Sequence, residues 1–66
     1  MKARVNGEAR ELPPGSTLRD LVVGLGLHPE AVAVAVNGDV VRRALLDGRR
    51  VEEGDVVEVI RAVGGG

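Results

Sequence analysis

Polar and apolar positions alternate over residues 2–6, Lys-Ala-Arg-Val-Asn, which places Ala3 and Val5 on one face of an extended segment. Asn6-Gly7 then predicts a two-residue hairpin turn, because both positions tolerate the positive φ such a turn requires. Residues 8–12 form the return strand, and Pro13-Pro14-Gly15 ends it, since proline has no N–H to give to a ladder. The period changes next. Leu18, Leu21, Val22 and Leu25 recur at i, i+3, i+4 and i+7, the apolar stripe of an amphipathic helix. Thr17 is its expected N-cap, Asp20 completes a capping-box pattern, and Gly26 supplies the stop. Gly24 costs this helix about 1 kcal/mol relative to alanine.

Alternation returns over residues 31–36. Val32, Val34 and Val36 point one way and Ala31, Ala33 and Ala35 the other. The valine face suits a core beneath the helix. The alanine face is low, and reads equally as half-exposed sheet or as a surface that admits a close-packed partner. Asn37-Gly38 predicts a second tight turn, into a short strand at Val40-Val41. Residues 42–55 show little period and three turn signals: Asp47-Gly48, Glu52-Glu53 and Gly54-Asp55. Residues 56–63 are the longest apolar run and read as a central strand, buried on both faces for part of its length.

This order predicts an α+β roll, a mixed sheet of four to five strands covered on one face by one main helix. The first and last strands lie parallel in the middle. One domain spans 1–63, and 64–66 form a flexible glycine tail.

Composition narrows the class. The 66 residues are 44% hydrophobic and 29% charged, with a net charge of −1, which is globular rather than disordered. Near-neutrality and the absence of any aromatic residue argue against a nucleic-acid partner, which calls for excess cations or stacking platforms. With no cysteine there is no disulfide, no thiol nucleophile and no thiolate metal site, and one histidine is too few for zinc. No apolar run approaches a membrane span and residues 1–10 lack a secretory h-region, so the expected compartment is the cytoplasm, with no membrane partner.

Side-chain chemistry is sparse. Ser16 and Thr17 sit where a helix needs capping, and His28 precedes Pro29 at a turn with no acid or hydroxyl placed for a relay. Glu52-Glu53-Gly54-Asp55 is a turn that lacks the ligand count of a calcium loop. No catalytic side chain, bound cofactor or metal ligand is expected, so the chain is not read as an enzyme. The sequence ends Ile-Arg-Ala-Val-Gly-Gly-Gly. A glycine run passes where any Cβ would collide, and a terminal carboxylate becomes an acyl donor once activated. Composition alone leaves a frayed end and a working tail both open.

Taken together, "VNG" near the start, "GSTLRDLV", "VAVAVNGDVV", "EEGDVVEVIRAV" and the closing glycines resemble the ubiquitin-like sulfur carriers of prokaryotes, specifically the ThiS family of thiamin biosynthesis. The resemblance covers the whole chain and implies the β-grasp fold. It also implies that Gly66 is the modified residue. An adenylyltransferase of the ThiF/MoeB type, using ATP and magnesium, adenylates its carboxylate. Sulfur from a persulfide donor, such as a cysteine desulfurase supplies, then gives a thiocarboxylate that serves thiazole synthase of the ThiG type. Gly65 is the penultimate glycine of the diglycine, Gly64 and Val63 belong to the partner-binding tail, and Ala33 and Ala35 mark a candidate partner face. The absence of cysteine agrees with this chemistry, because sulfur carried as a thiol or persulfide would need one. The alternatives within the same fold are carriers for molybdopterin synthesis or tRNA thiolation. Outside it stand a ubiquitin-like modifier and an interaction module without chemistry.

Overall fold

The structure is a computed structural model, and it describes residues 1–61. Five strands, β1 (Lys2–Val5), β2 (Glu8–Glu11), β3 (Val32–Val36), β4 (Asp39–Val41) and β5 (Val56–Arg61), form one sheet in the order β2-β1-β5-β3-β4. The first and last strands pair in parallel, as the sequence led us to expect, and the other pairs are antiparallel. Helix α1 (Leu18–Gly24) lies across one face, with short 3-10 turns at Pro29–Ala31 and Arg43–Leu45.

Each local signal has a geometric counterpart. Asn6 and Gly7 have φ of 50° and 85°, and Asn37 and Gly38 have 52° and 89°, so both hairpins close with two left-handed residues. Thr17 accepts a hydrogen bond from the Asp20 N–H, while the Asp20 carboxylate accepts one from the Thr17 N–H, completing the capping box. At the other end Gly26, at φ 79°, donates to the Val23 carbonyl and Leu27 donates to Val22. This is a Schellman stop, and only glycine adopts its backbone without strain.

The core lies between α1 and the sheet. Leu18, Leu21 and Val22 pack over Ala3, Val5, Val32, Val34, Val36, Val41, Val57 and Val59. Leu46 and Val51 join them from the connection between β4 and β5, a region whose sequence shows no period. That connection is anchored to the start of the helix. The Leu18 and Arg19 N–H groups donate to the Arg49 and Leu46 carbonyls, and Val51 donates to Ser16. Among the described residues every buried side-chain nitrogen or oxygen has a hydrogen-bond partner.

Strand β5 differs from its expected burial. It is central, but its residues alternate, with Val57 and Val59 in the core and Val56, Glu58 and Ile60 on the surface. The helix covers one face of the sheet and no second layer covers the other, so burial on both faces has no structural basis here. The strand ends at Arg61 among the described residues, and the proposed boundary at 63 lies outside them.

Both hairpin asparagines grip β5. The Asn6 amide accepts from the Val59 N–H at 2.8 Å and donates to the Val59 carbonyl at 3.3 Å. Asn37 accepts from the Val56 N–H at 2.9 Å and donates to the Asp55 carboxylate at 3.1 Å. The β1–β5 register covers only Arg4↔Val56 and Val5↔Val57, so the Asn6 side chain prolongs that ladder by one residue pair.

Candidate functional site

Of the residues singled out from sequence, Val63, Gly64, Gly65 and Gly66 lie outside the described residues. The described chain stops at Arg61, on the central strand that leads to them.

Ala33 and Ala35 lie on the face away from the helix, Ala33 exposed and Ala35 half-buried. Register surrounds them with larger side chains. Ala33 stands opposite Ile60, and Ala35 stands between Glu58 on one side and Val40 on the other. Val40, Ile60 and Val56 are 79%, 61% and 45% exposed, and they account for three of the five exposed large apolar residues among those described. The face is therefore a low alanine floor in β3, flanked by Val40 on the β4 side and by Val56, Glu58 and Ile60 along β5. Sequence reading found the floor but missed its flanks. Only the β3–β5 register brings them together, and no local pattern encodes that register.

Glu58 sits in the middle of these apolar groups and is exposed. The only basic side chain near it on β1, Arg4, directs its guanidinium to the Gly7 carbonyl at 3.0 Å. Among the described residues no ion pair reaches Glu58, and residues 62–66 contain no Lys, Arg or His.

Ser16 and Asp55 serve the fold. Ser16 donates its hydroxyl to the Pro13 carbonyl, and Asp55 accepts from the Glu52 N–H at 2.8 Å as well as from Asn37. His28 stands exposed before the 3-10 turn at residues 29–31 and makes no side-chain cap. With Arg61 it borders a shallow cavity of about 200 Å³ floored by Ala31 and Val32. No group of three or more His, Cys, Asp or Glu among the described residues could hold a metal ion. No helix among them is long and apolar enough to cross a membrane.

A five-stranded mixed sheet with one covering helix and a central last strand leading to a glycine run defines a β-grasp protein of the ubiquitin-like class. The crystal structure of thiamine biosynthesis protein ThiS from Geobacter metallireducens superposes with a TM-score of 0.82 at 32% identity, covering all of both chains. The chain belongs to the ThiS family, whose family model matches residues 3–66. A sulfur carrier protein ThiS from Thermus thermophilus is 36% identical over 62 residues, covering 94% of this chain and 95% of that protein. A thiazole synthase from Magnetococcus marinus is 42% identical over all 66 residues. The chain spans only 20% of the length of that protein, and likewise of a second thiazole synthase it matches.

Proposed function

We propose that this chain is the sulfur carrier of thiazole formation in thiamin biosynthesis, acting in the cytoplasm through the carboxylate of Gly66. The observation that carries this reading is the full-length match to a relative named a sulfur carrier protein, on a chain with no cysteine to hold sulfur otherwise. In the proposed sequence the Gly66 carboxylate attacks the α-phosphorus of ATP, held with magnesium by a ThiF/MoeB-type adenylyltransferase, and pyrophosphate leaves. The terminal sulfur of a persulfide then attacks the acyl carbon and AMP leaves. A second thiol cleaves the resulting acyl disulfide, and the thiocarboxylate is released. Thiazole synthase is its acceptor, in keeping with the two relatives of that name that contain a region like this chain. Gly65 and Gly64 give the tail the slimness to enter a partner's active site, and the chain itself supplies no catalytic side chain.

The test is intact-mass measurement after incubation with the adenylyltransferase, ATP, magnesium and a persulfide donor. The expected product carries sulfur in place of one oxygen, located at Gly66 by fragmentation. A variant with one residue added after Gly66 should fold normally and gain no sulfur. Full sulfur loading of that variant would overturn the terminal mechanism.

A further inference from the structure

Two Asn-Gly steps stand outside the sulfur chemistry, Asn6-Gly7 and Asn37-Gly38, and each follows a valine and precedes an acid. An asparagine before glycine loses its side-chain amide more easily than before any bulkier residue, because the glycine nitrogen can reach the carboxamide carbon unhindered. In both hairpins that nitrogen is uncommitted. Neither the Gly7 nor the Gly38 N–H donates a hydrogen bond among the described residues, whereas the Gly48 N–H donates to the Leu45 carbonyl. Both asparagines are exposed, so water and base reach them. What the fold restrains is the carboxamide, and it restrains the two differently.

Each asparagine donates its own N–H to β5, Asn6 to the Val57 carbonyl at 2.9 Å and Asn37 to that of Val56 at 2.7 Å. The Asn6 carboxamide is then bound on both atoms to the main chain of Val59, inside the central strand. The Asn37 carboxamide is bound to the N–H of Val56, the first residue of β5, and to a side chain, the Asp55 carboxylate in the turn before it. A strand end and a turn side chain let go more often than the middle of a central strand. The Asn37 carboxamide therefore turns toward its glycine more often than that of Asn6.

We propose that Asn37 is where the folded chain converts spontaneously to aspartate and isoaspartate, that the clamp on Val59 holds Asn6 back from the same reaction, and that conversion at Asn37 releases the start of β5. The Gly38 nitrogen attacks Cγ of Asn37 and gives its proton to solvent. The bond from Cγ to the side-chain nitrogen breaks, ammonia leaves and a succinimide closes. Water opens that ring, at the side-chain carbonyl to give aspartate or at the main-chain carbonyl to give isoaspartate. Aspartate sets a second carboxylate against Asp55 where there had been a donor, and like charges at that distance repel. Isoaspartate adds a methylene to the main chain of a two-residue turn and upsets its fit to the flanking strands. The reaction needs no partner and no sulfur.

The full chain is incubated at slightly alkaline pH, in buffer and in guanidinium chloride. Trypsin, cutting after Arg4, Arg10, Arg19 and Arg42, places the two sites in separate peptides, whose masses report exchange of the amide NH2 for a hydroxyl. In denaturant the matching local sequences should convert at equal rates. In buffer Asn37 should convert about fivefold or more faster than Asn6, the factor for one ordinary hydrogen bond, and Asn6 about 30-fold or more slower than in denaturant, the factor for two. Asp55→Ala removes an anchor of Asn37 and none of Asn6, so the ratio of the two rates should rise. Equal rates at the two sites in buffer, faster conversion at Asn6, or an unchanged ratio in Asp55→Ala overturns the assignment. Asn37→Asp stands in for the product: its melting temperature should fall, and adding Asp55→Asn should restore part of the loss. A melting temperature equal to wild type for Asn37→Asp overturns the release of β5.

Discussion

Replacing Asn6 with glycine separates two roles that a hairpin asparagine can have. At φ 50° the residue occupies the left-handed region, where glycine is at least as comfortable, so the turn itself survives the change. Relief of the left-handed strain and the larger unfolded-state entropy of glycine oppose each other and cancel to first order. What remains is the loss of two hydrogen bonds, those to the Val59 N–H at 2.8 Å and to the Val59 carbonyl at 3.3 Å. At roughly 0.5–1.5 kcal/mol each they amount to about 1–3 kcal/mol. A 66-residue domain has only about 3–10 kcal/mol in total, so the loss is a sizeable share. Urea unfolding followed by circular dichroism is the assay. With a slope near 1 kcal/mol/M, the midpoint should fall by about 1–3 M while the slope is unchanged. A midpoint equal to or above that of wild type would show that Asn6 serves only the turn, and that its amide does not hold β5.

Leu46→Ala should cost about 2–5 kcal/mol and lower the melting temperature by 10 °C or more by scanning calorimetry, whereas Leu45→Ala, at the exposed neighbour, should stay within about 0.5 kcal/mol. Equal effects at the two positions would contradict the placement of Leu46 in the core. Thr17→Ala removes the cap from the Asp20 N–H and should cost about 1 kcal/mol in the same measurement, and a neutral result would mean that the capping box contributes nothing. Ala33→Arg raises the floor of the open face, so it should weaken adenylyltransferase binding by calorimetry and leave unfolding nearly unchanged. A large drop in stability would instead assign Ala33 to packing.

The sequence announces this fold wherever a signal is local. The two Asn-Gly turns, the capped helix stripe and the valine–alanine alternation of β3 all need only a few consecutive residues, and all are present as read. The failures are non-local. Val56-Val57 at the start of β5 cannot reveal which valine faces a helix, because identical neighbours carry no period. Leu45-Leu46 poses the same difficulty, and the 3-10 turn resolves it by exposing the first and burying the second. Leu46 and Val51 fill the core from an irregular segment, where isolated apolar residues among charges are the only available hint. The asparagine amides were legible as turn formers and not as clamps, since their targets, Val56 and Val59, lie 19 and 53 residues away. On the candidate site, the glycine run was visible as composition and the alanine floor as pattern. Glu58 joins that face only through the register that sets it beside Ala35.

The parallel pairing of β1 with β5 also decides where this molecule can be held. Because neighbouring parallel strands start at the same end of the sheet, Lys2 and Arg61 sit at opposite ends of it, seven register steps or about 23 Å apart along the strands. An affinity tag, a surface linker or a fused enzyme joined ahead of β1 therefore anchors the domain by the end of the sheet opposite Arg61.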